Sequence, residues 1–236
     1  NVNPTGTLAV DTAAPTATLT AASIPNTSSV TVQSTETGTA YLVNTSVTVT
    51  NLASITGAAS SNWNSASITS ANSNTSLSAA GLADGTYRLY TVDAAGNLSA
   101  ASTNSVTIDS TAPTVSSIAY GTNDGNLAAG ESVTLTVTFS EAVNVTGTPT
   151  IALNSGGSAS YTSGSGSNQL TFTYTPAATQ STSDLATATT SAFSGTITDA
   201  AGNAVVASGF NNVNPTGTLA VDTAAPTATL TAASIP

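Results

Sequence analysis

The 236-residue chain has no cysteine, histidine, methionine or lysine, and its one basic residue is Arg88. Each absence closes off a chemistry. Without His or Cys there is no Ser-His-Asp triad, no Cys-His pair and no ordinary zinc site. Without Lys there is no Schiff base, no phosphate-loop lysine and no intramolecular isopeptide bond. One Arg against a net charge of −10 excludes an electrostatic nucleic-acid surface, because phosphates are neutralised by clustered Lys and Arg. No apolar run approaches the length of a membrane helix, so no membrane insertion is expected in this segment. The lack of Cys fits a reducing compartment or a secreted protein without disulfides, and decides between neither.

What is present is small, apolar and hydroxylated. Thr and Ser make up about a third of the chain, 39% is hydrophobic, and only 5% is charged. Mean hydropathy is positive. A disordered chain has low hydrophobicity and high charge, so this composition argues for folded domains.

The chain also repeats itself. Residues 1–25 read NVNPTGTLAVDTAAPTATLTAASIP, and residues 212–236 read the same letter for letter. The offset is 211 residues, from Asn1 to Asn212. An identity of this length points to tandem duplication within a longer parent. A shorter rhythm lies inside it. DTAAP at Asp11 returns at Asp222, and the related DSTAP begins at Asp109, giving spacings of 98 and 113 residues. DAAGN occurs at Asp93–Asn97 and at Asp199–Asn203. Each interval suits one β-sandwich of about 100 residues. The expected organisation is a domain over 12–109 and a second over 110–222. Residues 1–11 would be the last strand of a preceding repeat, and 223–236 the first strand of a following one.

Short runs of β-branched and aromatic residues alternate with polar ones between Gly, Asn, Asp and Pro. The expected strands are SVTVQS (29–34), SVTVTNL (46–52), TYRLYTV (86–92) and NSVTID (104–109) in the first half. In the second they are SVTLTVTF (132–139), TIALN (150–154), QLTFTYT (169–175) and SGTITD (194–199). One short helical turn is expected at most, in TSDLATATTSA (182–192). About seven strands per unit make an immunoglobulin-like sandwich, with Tyr87 as its corner tyrosine and DAAGN as the turn before the last strand. The fold class is therefore all-β: tandem immunoglobulin-like sandwiches in a rod.

DAAGN, a closing V-T-I-D strand and the T-A-P linker together resemble the bacterial Ig-like (BIg) repeats of giant surface adhesins. The stretches TETGTAYLVN and GLADGTYRLYTVDAAGNLSAASTNSVTID carry the likeness in the first unit. VTLTVTFSEAVNVTGTPTIALN and SGSGSNQLTFTYT carry it in the second. The resemblance implies an extracellular or cell-surface rod whose joints often bind calcium, supporting adhesion or biofilm formation.

The eleven acids carry information because they are scarce. In such a sandwich a linker Asp enters the end that also holds the B–C and F–G loops. This groups Asp11, Glu36 and Asp93 in the first domain and Asp109, Glu141 and Asp199 in the second. Asp222 would open a third set. Three carboxylates without a Lys or Arg partner repel one another. Calcium, which takes six to eight hard oxygens, would relieve that repulsion. Asn97, Asn203 and linker carbonyls could complete the shell. The competing reading makes these acids separate solvated turn residues. Asp84, Asp124, Glu131 and Asp184 read as turn or surface residues, with Asp84 able to approach the joint at Asp109. Arg88 is expected to face solvent or pair with a carboxylate, and Trp63 to pack at a core edge.

Three readings follow. The first is a structural repeat of a stalk or filament, whose partners are neighbouring repeats and, by self-association, other copies. The second is a glycan- or protein-binding module, for which six Tyr, four Phe and one Trp are few. The third is a subunit that polymerises by adding a strand to its neighbour. A glycosidase needs paired carboxylates in one cleft, whereas these acids follow the repeat, so no catalytic residue is assigned.

Overall fold

The computed structural model describes residues 10–230. The chain forms two compact units, the first comprising residues up to Thr111 with Ala200–Asn203, the second Ala112–Asp199 with the remainder. In the first unit the elements are β1 (Ala17–Leu19), β2 (Ala22–Ile24), β3 (Ser29–Ser34), β4 (Gly38–Asn44), α1 (Leu52–Thr56), β5 (Trp63–Ile68), β6 (Thr75–Ser78), β7 (Gly85–Asp93) and β8 (Val106–Ile108). In the second they are β9 (Val115–Tyr120), β10 (Asn126–Leu127), β11 (Val133–Ala152), β12 (Ser158–Ser163), β13 (Ser167–Tyr174), β14 (Ser181–Thr182), β15 (Phe193–Thr198) and β16 (Ala220–Asp222). The all-β expectation holds.

The first unit has a three-stranded sheet, β1-β3-β6, and a five-stranded sheet, β2-β8-β7-β4-β5. The first strand thus divides. β1 pairs antiparallel with β3, and β2 pairs parallel with β8. Strict alternation explains the layers: Val30 and Val32 on β3, and Tyr87 and Leu89 on β7, are all buried while their neighbours face out. These side chains pack with Leu19, Leu42, Leu77, Leu82, Val106 and Ile108 into one core. Each fully buried aliphatic side chain contributes roughly 1.5–3 kcal/mol. Tyr87 is wholly buried, and its hydroxyl oxygen lies 2.7 Å from the Ala83 carbonyl and 3.1 Å from that of Ser61. This is the tyrosine-corner geometry.

In the second unit one sheet contains β12-β13-β11-β15, with β9 on β11, and a smaller one contains β10-β16-β14. β11 is a single strand of 20 residues. Its first half pairs with β9 and β13, and its second with β12 and β15. Odd-numbered residues are buried from Val133 to Phe139 and again at Val143, Pro149 and Ile151, while Gly147 is exposed at a register shift. Phe139 and Phe193 pack on Phe210, the latter stacked at 4.5 Å between centroids.

Three local expectations need correction. Residues 46–52 are not a strand: β4 ends at Asn44, and Asn51 caps α1 instead. The Asn51 side chain accepts from the Ser54 N–H while the Ser54 hydroxyl accepts from the Asn51 N–H, a capping box that overrides the β-branched run before it. The one α-helical turn among the described residues is therefore at 52–56. The 182–192 stretch instead closes on β16, on the Leu219 carbonyl and on the Val213 carbonyl. The separate strands at 132–139 and 150–154 are one: the chain between them stays extended and paired with β15, with a register shift between Thr146 and Thr150. Arg88 faces solvent as expected, and its guanidinium donates to the Ser102 carbonyl at 2.9 Å. Trp63 is half-buried, 5.9 Å from the Tyr41 ring. Residues 1–9 and 231–236, assigned in the sequence to neighbouring repeats, lie outside the described residues. Residues 223–230 form no strand.

Candidate functional site

A pair of hydrogen bonds orients the linker in each unit. In the first, Thr16 N–H donates to the Thr35 hydroxyl at 2.9 Å, and Thr35 N–H donates back to the Thr16 carbonyl at 3.2 Å. In the second, Thr114 N–H donates to the Ser140 hydroxyl at 3.0 Å, and Ser140 N–H returns to the Thr114 carbonyl at 2.9 Å. The hydroxyl residue immediately precedes a glutamate both times, Glu36 and Glu141. Its partner immediately follows a proline, Pro15 and Pro113. Sequence reasoning missed this clamp, although the signal was there in the recurring P-T and [T/S]-E pairs.

The clamp brings Asp11 to Glu36. Asp93 arrives at the end of β7, two residues beyond Thr91 on the same buried face. One carboxylate oxygen from each of Asp11, Glu36 and Asp93 lies within 4.8 Å of the others. Asp11 is exposed, Glu36 half-buried and Asp93 buried. The Asp11 carboxylate also closes its own turn, accepting from Ala13 N–H at 3.0 Å.

Asp93 is held twice by Asn97: its Oδ1 accepts the Asn97 N–H and its Oδ2 the Asn97 side-chain amide, each at 2.8 Å. The same amide donates to the Asp11 carbonyl at 3.2 Å, tying the linker to the turn. Gly96, at φ +93°, provides the left-handed residue that lets Asp93–Asn97 turn so tightly. Burial by itself would push the Asp93 carboxyl up. Hydrogen bonds from the Asn97 side chain and from the N–H groups of Asn97, Gly96 and Ala95 outweigh it and hold the carboxyl below its ordinary value. Gly38 faces Asp93 across the sheet at φ +152°. A Cβ there would run into the Val92 carbonyl and reach 2.9 Å from the Asp93 Cα, so only glycine admits this approach.

Of the other expected residues, Glu141 lies within β11, and Asp199, buried, just after β15. Both are in the second unit, with carboxylate oxygens within 4.8 Å of each other. Asp109 belongs to the first unit and accepts from Thr111 N–H at 3.0 Å. Its carbonyl accepts from Asn203 at 2.9 Å, as the Asp11 carbonyl accepts from Asn97. Asp84 accepts from Ser110 N–H and from the Thr111 hydroxyl, beside Asp109. Asp222 ends β16 and accepts from Ala224 N–H at 2.9 Å, so the three linker aspartates make the same turn. Asp184 is no idle surface acid: it accepts from the Asn214 amide at 2.9 Å and from Leu219 N–H at 3.1 Å.

Among the described residues no helix is long and apolar enough to cross a membrane. No family model, curated protein or solved structure matches the chain.

Proposed function

We propose that the chain is a structural repeat segment of an extracellular bacterial adhesin stalk or filament, of the BIg-like kind, with calcium at Asp11, Glu36 and Asp93. The observation that carries the calcium reading is the convergence of three carboxylates that have no cationic side chain to balance them. The donor set is all oxygen, which suits a hard cation. Two oxygens bound to one calcium at about 2.3–2.6 Å are at most about 5 Å apart, so a 4.8 Å separation is compatible with a single ion. The repeat supports the stalk reading: units of this size that meet only their neighbours lengthen a rod by copy number alone. The three prolines after the linker aspartates, Pro15, Pro113 and Pro226, restrict its hinges.

The test is thermal unfolding of the full chain in EGTA and then in millimolar calcium. At tenfold over Kd a single site adds about 1.4 kcal/mol. The midpoint should rise with calcium, and Asp93→Ala should abolish the rise. Superimposed wild-type curves would return these acids to ordinary turn chemistry.

A further inference from the structure

The first unit holds four aromatic side chains, Tyr41, Trp63, Tyr87 and Tyr90. Tyr87 is in the core. The other three are on the opposite face of the five-stranded sheet. Ala40 and Leu42 on β4, Leu89 on β7 and Ile68 on β5 point into the core. Alternation therefore turns Tyr41, Tyr90 and Trp63 outward, where each is half-buried. Register sets them side by side. Tyr41 pairs with Tyr90 on one flank and with Ser65 on the other. Val43, two residues on, pairs with Arg88 and with Trp63. The Tyr41 and Trp63 rings are 5.9 Å apart between centroids. Neighbouring strands lie about 4.8 Å apart, so three rings and one guanidinium share a patch three strands wide.

The charge on this patch is unusual for the chain. Arg88 is its one basic residue, against eleven acidic ones. Arg88 is exposed, and its bond to the Ser102 carbonyl at 2.9 Å is the one it makes among the described residues. A guanidinium has five N–H donors, so that bond steadies the group and leaves most of its fork available. The outward positions of β4, β5 and β7 carry no carboxylate. An anion is thus repelled by most of this acidic chain and attracted here.

The rings add a second requirement, a flat apolar surface on the ligand. β4 is paired on both sides, so this face has no strand edge to offer a peptide. A uronic acid meets both requirements. The C–H face of its ring lies on an aromatic face, and its carboxylate, level with the ring, meets the guanidinium alongside. We propose that the outer face of the first unit, at Trp63, Tyr41, Tyr90 and Arg88, binds an acidic polysaccharide built of uronic acid units. This binding is independent of the calcium and stalk readings.

The experiment titrates the full chain with trigalacturonate in EGTA, which keeps calcium from bridging the sugar to the acidic cluster. Trp63 is the chain's one tryptophan, so its fluorescence reports on this face alone. Trigalacturonate should change that fluorescence saturably, and the neutral trisaccharide maltotriose should bind at least about tenfold more weakly. Arg88→Gln should weaken trigalacturonate at least about tenfold with the unfolding midpoint little changed. Tyr90→Ala should weaken it as well, and serves alone if Arg88→Gln does not fold. The proposal is overturned if no saturable change appears up to about 10 mM sugar. It is equally overturned if maltotriose or triglutamate binds as well as trigalacturonate, or if either folded variant keeps wild-type affinity.

Discussion

Asn97 grips Asp93 at both carboxylate oxygens, through its backbone N–H and its side-chain amide, each at 2.8 Å. This grip decides how the first unit responds to acid. The Asp93 carboxyl is held below its ordinary value, so the charged form is favoured by folding. Its contribution is complete above the unfolded carboxyl value of about 3.9 and is lost as pH falls through the lower folded value. Urea midpoints measured downward from pH 6 should fall below about pH 4 in the wild type, and less steeply in Asp93→Asn. Asn97→Ala should raise the Asp93 value and shrink the same slope.

Gly38→Ala tests the close approach beside Asp93. The new Cβ meets the Val92 carbonyl at a positive φ, which together should cost at least about 2 kcal/mol. Equilibrium denaturation should show that loss, and calcium-dependent stabilisation should weaken with it.

Tyr87→Phe removes the hydroxyl that the Ala83 and Ser61 carbonyls share, without opening a cavity. The expected loss is about 1–2 kcal/mol in denaturant titration, with the m-value unchanged.

Thr91 is buried, and its hydroxyl is the one buried side-chain polar atom without a partner among the described residues. Its N–H bond to the Ser99 hydroxyl belongs to the backbone and survives substitution. Thr91→Val should therefore stabilise the unit by about 1 kcal/mol, read as a higher melting temperature.

Alkali tests the second unit. Tyr120 donates to the Leu185 carbonyl, and burial, with Asp184 nearby, pushes its phenol up to about 12. The neutral form is favoured by folding, so this contribution is present below the unfolded value of about 10 and is lost as pH rises from there through 12. Unfolding midpoints from about pH 9 to 12 should fall in the wild type and fall less in Tyr120→Phe.

The all-β class was legible because alternation reports burial directly: SVTVQS and TYRLYTV became β3 and β7 within a residue or two. The acids were legible too, as far as grouping Asp11, Glu36 and Asp93, since the order of strands dictates which loops share an end. Local propensity misled at 46–52, where two hydrogen bonds of a capping box outweighed a β-branched run. Asp184 was illegible for another reason: its partners, Asn214 and Leu219, lie some thirty residues on, and no local pattern encodes a contact at that distance.

The amino-acid sequence by itself determined the chemistry available to this chain. It has oxygen ligands but no imidazole or thiolate ones, strands rather than long helices, and two identical ends. Only the tertiary structure decided what each copy of a duplicated residue does. Val10 and Val221 sit in the same sequence, yet one is exposed and the other buried. Val221 is buried because β10 and β14, distant in sequence, flank β16 on either side.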